Sequence, residues 1–119
     1  MALTFYWYPK CSTCRKAKKW LDEHGIDVQA VHIVENPPTK SELTELYHKS
    51  GLPLKKFFNT SGMKYRQLGL KEKVNTASEE ELLEILASDG MLIKRPILTD
   101  GTRVLVGFQE EQYEKFFNK

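Results

Sequence analysis

Only two cysteines occur in 119 residues, too few for a disulfide framework, so the fold has to be held by an apolar core. A chain of this length is long enough to bury one such core but too short for two independent domains. Repeats and biased segments are missing; seven glycines and five prolines are ordinary numbers, which argues against a fibrous or low-complexity protein. An excess of one charge is missing too: 18 basic against 16 acidic residues leave a net +2. That balance is too even for phosphate neutralisation, and no direct nucleic-acid partner is expected. The runs Arg15-Lys16-Ala17-Lys18-Lys19 and Lys71-Glu72-Lys73 read as solvated helix faces. A long hydrophobic run is also lacking at the start, where Met1 to Tyr8 meets Pro9 first. Neither a signal peptide nor a membrane helix is expected there, and the protein is expected in the cytoplasm with no membrane partner.

What is present reads in chain order. Leu3 to Tyr8 is rich in aromatic and β-favouring residues and predicts a buried strand that runs into the cysteine loop. From Ser12 or Thr13 to Glu23 no glycine or proline intervenes. Cys14, Ala17, Lys18 and Leu21, with Trp20 adjoining, share one helical face, and Gly25 ends the helix. Asp27 to Val34 predicts a second strand, broken by Asn36-Pro37-Pro38. Thr39 with Glu42, and Ser78 with Glu81, fit the capping box and start helices ending near Ser50 and Ser88. Between them, Gly51 to Asn75 suggests short helical turns that pack Leu52, Leu54, Phe57, Phe58, Tyr65, Leu68 and Leu70. Leu92 to Thr99 and Arg103 to Phe108 form a hairpin about Asp100-Gly101, and Gln109 to Asn118 closes as an amphipathic helix. The order β-α-β, several helices, then β-β-α is that of an α/β thioredoxin-like (glutaredoxin-like) domain with a mixed sheet. The expectation is one domain over 1–119 with a helical insertion at about 39–89.

The cysteines stand as Cys11-Ser12-Thr13-Cys14. In a reducing compartment a structural disulfide is not expected, so the pair is redox, metal-binding or plain packing. The thiolate attacks in disulfide exchange, and a cysteine at a helix N-terminus meets unpaired N–H groups and positive dipole charge that favour it. Cys11 is therefore the expected attacker, with Cys14 one turn on as the resolving thiol. A zinc site asks for four ligands, yet there is no second cysteine pair, and His24, His32 and His48 lack finger-like spacing. No metal and no bound cofactor is expected. Two buried cysteines acting as small apolar residues remain an alternative, because CxxC is only moderately specific. Arg95-Pro96 opens the late hairpin, where a basic side chain would add positive charge to a thiolate site.

The stretches Tyr6 to Ala17, Asn36-Pro37-Pro38-Thr39, Leu92 to Ile97 and Val106-Gly107-Phe108 together resemble the arsenate reductase (ArsC) family, which also contains the Spx regulators. The resemblance covers almost the entire chain and implies a thioredoxin-like fold with an inserted helical region. It implies further that Arg95-Pro96 is a cis bond, with Arg95 facing the cysteines. In the glutaredoxin-coupled reductases the first cysteine is the nucleophile and three arginines bind the oxyanion. Cys11 and Arg95 match the nucleophile and one arginine, while the other two arginine positions fall on Asn59 and Val106. Each lost charge-assisted hydrogen bond is worth roughly 1.5–3 kcal/mol, so efficient arsenate reduction is not expected.

Those reductases carry serine where this chain has Cys14, whereas Spx regulators have the CxxC pair and a similar Val-Gly-aromatic ending. Spx regulators bind the C-terminal domain of the RNA polymerase α subunit with help from a glycine that Gly51 matches, although Gly51 is equally an ordinary helix stop. The chain ends at Lys119 without the further segment those regulators carry, and Asn59 departs from both groups. The expected function is a cytoplasmic thiol-disulfide oxidoreductase cycling through a Cys11-Cys14 disulfide. Its expected partner is a small thiol or thioredoxin-like protein: an external reductant of the glutathione/glutaredoxin or thioredoxin type. A monomer is expected. The alternatives are a redox-sensing regulator that contacts the polymerase α subunit, and a relic domain that keeps the fold without turnover.

Overall fold

The computed structural model describes residues 3–118; Met1, Ala2 and Lys119, which entered the reading of the two ends, lie outside them. The elements in chain order are β1 (Thr4–Trp7), α1 (Ser12–Glu23), β2 (Gln29–His32), α2 (Lys40–Ser50), α3 (Met63–Gln67), α4 (Leu70–Thr76), α5 (Glu79–Ser88), β3 (Ile97–Thr99), β4 (Val104–Val106) and α6 (Glu110–Phe117). Two 3-10 turns, Leu54–Phe57 and Gly90–Leu92, join them. The contacts divide the chain into two compact units, Met1–His32 with Arg95–Lys119, and Ile33–Lys94.

The first unit carries the whole sheet, in the order β2-β1-β3-β4. β1 pairs parallel with β2, Phe5 opposite Ala30, and antiparallel with β3, Phe5 opposite Leu98. β3 and β4 are antiparallel through the Asp100-Gly101 turn, where Gly101 has φ 93°. A parallel pair joined by α1 and a late antiparallel hairpin followed by α6 is the thioredoxin-like plan that the order of elements predicts. Helical spacing puts Cys14, Ala17, Trp20 and Leu21 on the buried face of α1. Ala17, Trp20 and Leu21 pack with Phe5, Leu98, Tyr113 and Phe116 in one core, each larger apolar side chain contributing about 1.5–3 kcal/mol of burial. Lys18, expected on that face, instead reaches the exposed edge and pairs with Asp22 at 2.7 Å; Trp20 takes its place inside.

Three strand boundaries are shorter than the sequence suggests. Regular pairing in β2 covers Gln29–His32 rather than Asp27 to Val34. Arg103 to Phe108 contributes Val104–Val106. Of Leu92 to Thr99, only Ile97–Thr99 pairs as a strand, because Pro96 has no N–H for a ladder. Leu92 ends a 3-10 turn, and Ile93 makes an isolated bridge to Phe58.

The second unit is helical. Thr39 and Glu42 close the capping box in both directions at the start of α2, whereas at α5 the Ser78 hydroxyl accepts from the Glu81 N–H. Gly51 ends α2 at φ 69°, in the left-handed region that glycine adopts without a Cβ penalty. Gly90 serves a different need: a Cβ there would run into the Ile33 carbonyl oxygen. Leu54, Phe57, Phe58, Tyr65 and Leu70 are buried as expected, but Leu52 and Leu68 are exposed; both stand beside glycines that end or turn a helical segment, Gly51 and Gly69.

Candidate functional site

The chain leaves β1 at Trp7, turns through Pro9, and enters α1 with Cys11 as the N-cap residue in extended backbone, φ −88° and ψ 124°. A cysteine supplies no capping oxygen, and no side chain caps this helix. The first turn also lacks the carboxylates that usually oppose the dipole. Free N–H groups are thus left for the Cys11 sulfur. The turn is fixed by Cys11 N–H donating to the Tyr8 carbonyl at 2.8 Å, and by Arg15 N–H donating to the Cys11 carbonyl at 3.0 Å.

Cys11 is half-buried and Cys14 fully buried, both as free thiols. Partial burial alone would raise the Cys11 thiol. The Cys14 backbone N–H and thiol, the Thr13 N–H and the positive charge of Arg95 outweigh it, so Cys11 lies below its ordinary value. Cys14 goes the other way. Burial pushes it up to about 12, with its bond to Cys11 and the Cys11 charge adding to the rise, against the Tyr8 N–H and Arg95. The surroundings of two thiols one turn apart therefore favour the anion at Cys11 and the protonated form at Cys14.

Arg95 lies across the Tyr8 ring, its Cζ 5.1 Å from the ring centroid, a cation–π contact that holds the guanidinium. The His32 ring meets the same tyrosine edge-on at 5.6 Å. The Arg95-Pro96 bond is cis, and the buried Pro96 accepts through its carbonyl from the Gly107 N–H at 2.8 Å. Cys11, Cys14, Arg95 and Pro96 thus belong to one unit, with the Arg95 charge acting on both thiols.

Val106, at the position of an expected oxyanion arginine, sits in β4 opposite Ile97. Asn59 and Gly51 belong to the other unit. Asn59 donates its N–H to the Leu92 carbonyl and takes the Ser61 hydroxyl on Oδ1; Gly51 serves as the helix stop of α2.

Tyr8 is the residue that sequence reasoning missed. Its N–H donates to Cys14 Sγ at 3.4 Å, its carbonyl takes the Cys11 N–H, and its ring carries Arg95. As a strand-end aromatic before a proline it carries no chemical signal; its role follows from which groups the turn brings to it. Among the described residues no group of His, Cys, Asp and Glu is arranged to hold a metal ion, and no helix is long and apolar enough to cross a membrane.

The chain is similar to known proteins over almost its whole length. The uncharacterized protein YusI of Bacillus subtilis is 70% identical over 115 residues, covering 97% of this chain and 98% of that one. The regulatory protein MgsR of Bacillus subtilis is 32% identical over 117 residues, covering 98% and 91%. The crystal structure of an ArsC family related protein from Bacteroides fragilis superimposes with a TM-score of 0.93 at 50% identity, covering 97% of each chain. The sequence model of the ArsC family matches residues 6–116, and with the thioredoxin-like sheet and the cysteine turn in place, the chain belongs to the ArsC family.

Proposed function

We propose that this protein is a cytoplasmic thiol-disulfide oxidoreductase that works through a Cys11-Cys14 dithiol and disulfide couple. The observation that carries the reading is the placing of two free thiols one helical turn apart, Cys11 at the uncapped start of α1 and Cys14 buried with the Tyr8 N–H on its sulfur; Cys11 is lowered and Cys14 raised accordingly. The Cys11 thiolate attacks one sulfur of a substrate disulfide; that S–S bond breaks, and one thiolate leaves and takes a proton. Cys14 then loses its proton and attacks Cys11 Sγ, expelling the second substrate thiol. Two electrons pass from the dithiol to the substrate, and an external thiol of the glutathione/glutaredoxin or thioredoxin type restores the dithiol. Arsenate is a poor substrate on this reading, because Asn59 and Val106 stand where arginines are expected from the family.

A second reading is supported by the regulatory relative at 32% identity: the same disulfide serves as a switch in a regulator that contacts the RNA polymerase α subunit. Incubation with candidate disulfides or arsenate, with glutathione or thioredoxin as reductant, separates the two. Sustained reductant consumption with a disulfide supports the enzyme. No turnover, together with capture of the α subunit by the oxidised protein, supports the regulator.

A further inference from the structure

Charge is balanced over the whole chain but not locally. From Gly51 to Ser78 the basic residues Lys55, Lys56, Lys64, Arg66, Lys71 and Lys73 face Glu72 as the sole acid. Two cavities open in this part of the Ile33–Lys94 unit. One, of about 620 Å³, is lined by Arg66 and Lys71 with Tyr65 and Leu70; the other, of about 360 Å³, by Lys56, Lys94 and Phe58. Lys55 and Thr60 line both, which makes them two lobes of one groove. No Asp or Glu lines either lobe, and among the described residues none of the cations Lys55, Lys56, Arg66, Lys71 and Lys94 pairs with a carboxylate. Lys18, Lys40, Lys64, Arg103 and Lys115, elsewhere on the surface, all do. Apolar surface stands beside the groove. Met63, 69% exposed, lies one turn before Arg66 on α3, and Leu68, 55% exposed, directly precedes the Gly69-Leu70 turn.

We infer that this groove docks a partner protein through an extended peptide segment that carries both carboxylates and bulky apolar side chains. A cleft lined by one sign of charge concentrates the opposite sign, which makes the occupant acidic. Its carboxylates meet the Lys and Arg rim, while its apolar side chains settle on Tyr65, Leu70 and Phe58 and against Met63 and Leu68. Two lobes in tandem suit an extended segment rather than a compact ligand. A small inorganic anion is the poorer fit, because all five cations are exposed and spread over two lobes instead of converging as buried donors on one point. Single-stranded nucleic acid needs open aromatic faces on which bases stack, and Phe58 and Tyr65 are 1% and 5% exposed. The inference is independent of the redox reading and holds for an enzyme or a regulator alike.

The test is titration of the isotope-labelled reduced protein with a short peptide in which leucine alternates with glutamate and aspartate, read by amide shifts and by fluorescence anisotropy of the labelled peptide. The expected result is a set of shifts centred on Lys55, Thr60, Arg66, Gly69 and Lys71, with an affinity that falls as salt rises. Lys55→Glu combined with Arg66→Glu should weaken binding about tenfold, the weight of two surface contacts turned repulsive. Serine in place of leucine in the peptide, or lysine in place of its acids, should each weaken binding as well. A thermal midpoint near that of the parent shows that the double variant is folded; should it fold poorly, Lys55→Gln with Arg66→Gln is measured instead, with a smaller loss expected. Shifts confined to other parts of the chain, an affinity indifferent to Lys55 and Arg66, or no shift at low salt overturn the inference. Equal binding of the serine peptide, of inorganic phosphate or of a single-stranded oligonucleotide overturns it too, since the groove would then take anions without regard to apolar side chains.

Discussion

Cys11 and Cys14 are the same amino acid three positions apart, and their surroundings give them opposite chemistry. At the helix edge Cys11 gains the N–H groups of Thr13 and Cys14 and the charge of Arg95, while Cys14, inside, loses solvent. Iodoacetamide rates on Cys14→Ser should therefore show Cys11 titrating below the free-thiol value of about 8.5. Arg95→Ala should raise that midpoint by several tenths of a pH unit, with Arg95→Lys between the two, and an unmoved midpoint would separate the guanidinium from the thiolate. Arsenate, assayed with glutathione and glutaredoxin, should turn over far more slowly than about 1 per second, the low end of ordinary enzymes. The place of Cys11 at the start of α1 and of Cys14 one turn on, on its buried face, was legible in the CxxC and the helix that follows it. Tyr8 was not, because a backbone N–H, a carbonyl and a ring face acquire their partners only when the Pro9 turn closes.

Helices were better predicted than strands, for a physical reason. α1 keeps its sequence-derived limits because unbroken apolar spacing and Gly25 mark both ends. Strand length depends on partners far away in the chain, and Pro96 removes one N–H from a run that otherwise looks continuous from Leu92 to Thr99. Exposure of Leu52 and Leu68 was equally hidden, since apolar character alone does not reveal which side of a short turn faces out. Two substitutions test the elements themselves. Thr39→Ala removes one arm of the capping box and should cost about 1 kcal/mol in denaturant titration. Gly90→Ala forces a Cβ against the Ile33 carbonyl, a backbone group that cannot swing aside, and should cost about 1–3 kcal/mol. A neutral result there would mean that the close approach relaxes freely.

For the whole molecule, the split thiols link redox chemistry to stability. Cys14 is raised on folding, so its contribution is fully present below the ordinary thiol value and is lost as pH rises from about 8.5 toward about 12. Cys11, lowered on folding, contributes above the ordinary thiol value and loses that contribution as pH falls through its folded value. Reduced protein should therefore lose stability above about pH 8.5 more steeply than Cys14→Ser, measured by urea unfolding at each pH. Parallel curves would show that burial of Cys14 carries no such linkage. The central claim, that Cys11 attacks and Cys14 resolves, is tested most directly by mixing the reduced parent, Cys11→Ser and Cys14→Ser with glutathione disulfide and weighing the trapped products. The account predicts an intramolecular disulfide and two released glutathiones for the parent, a stable glutathione adduct on Cys11 for Cys14→Ser, and no rapid adduct for Cys11→Ser. Rapid adduct formation on Cys14 in Cys11→Ser, or a Cys11 adduct in the parent that never closes, would contradict it.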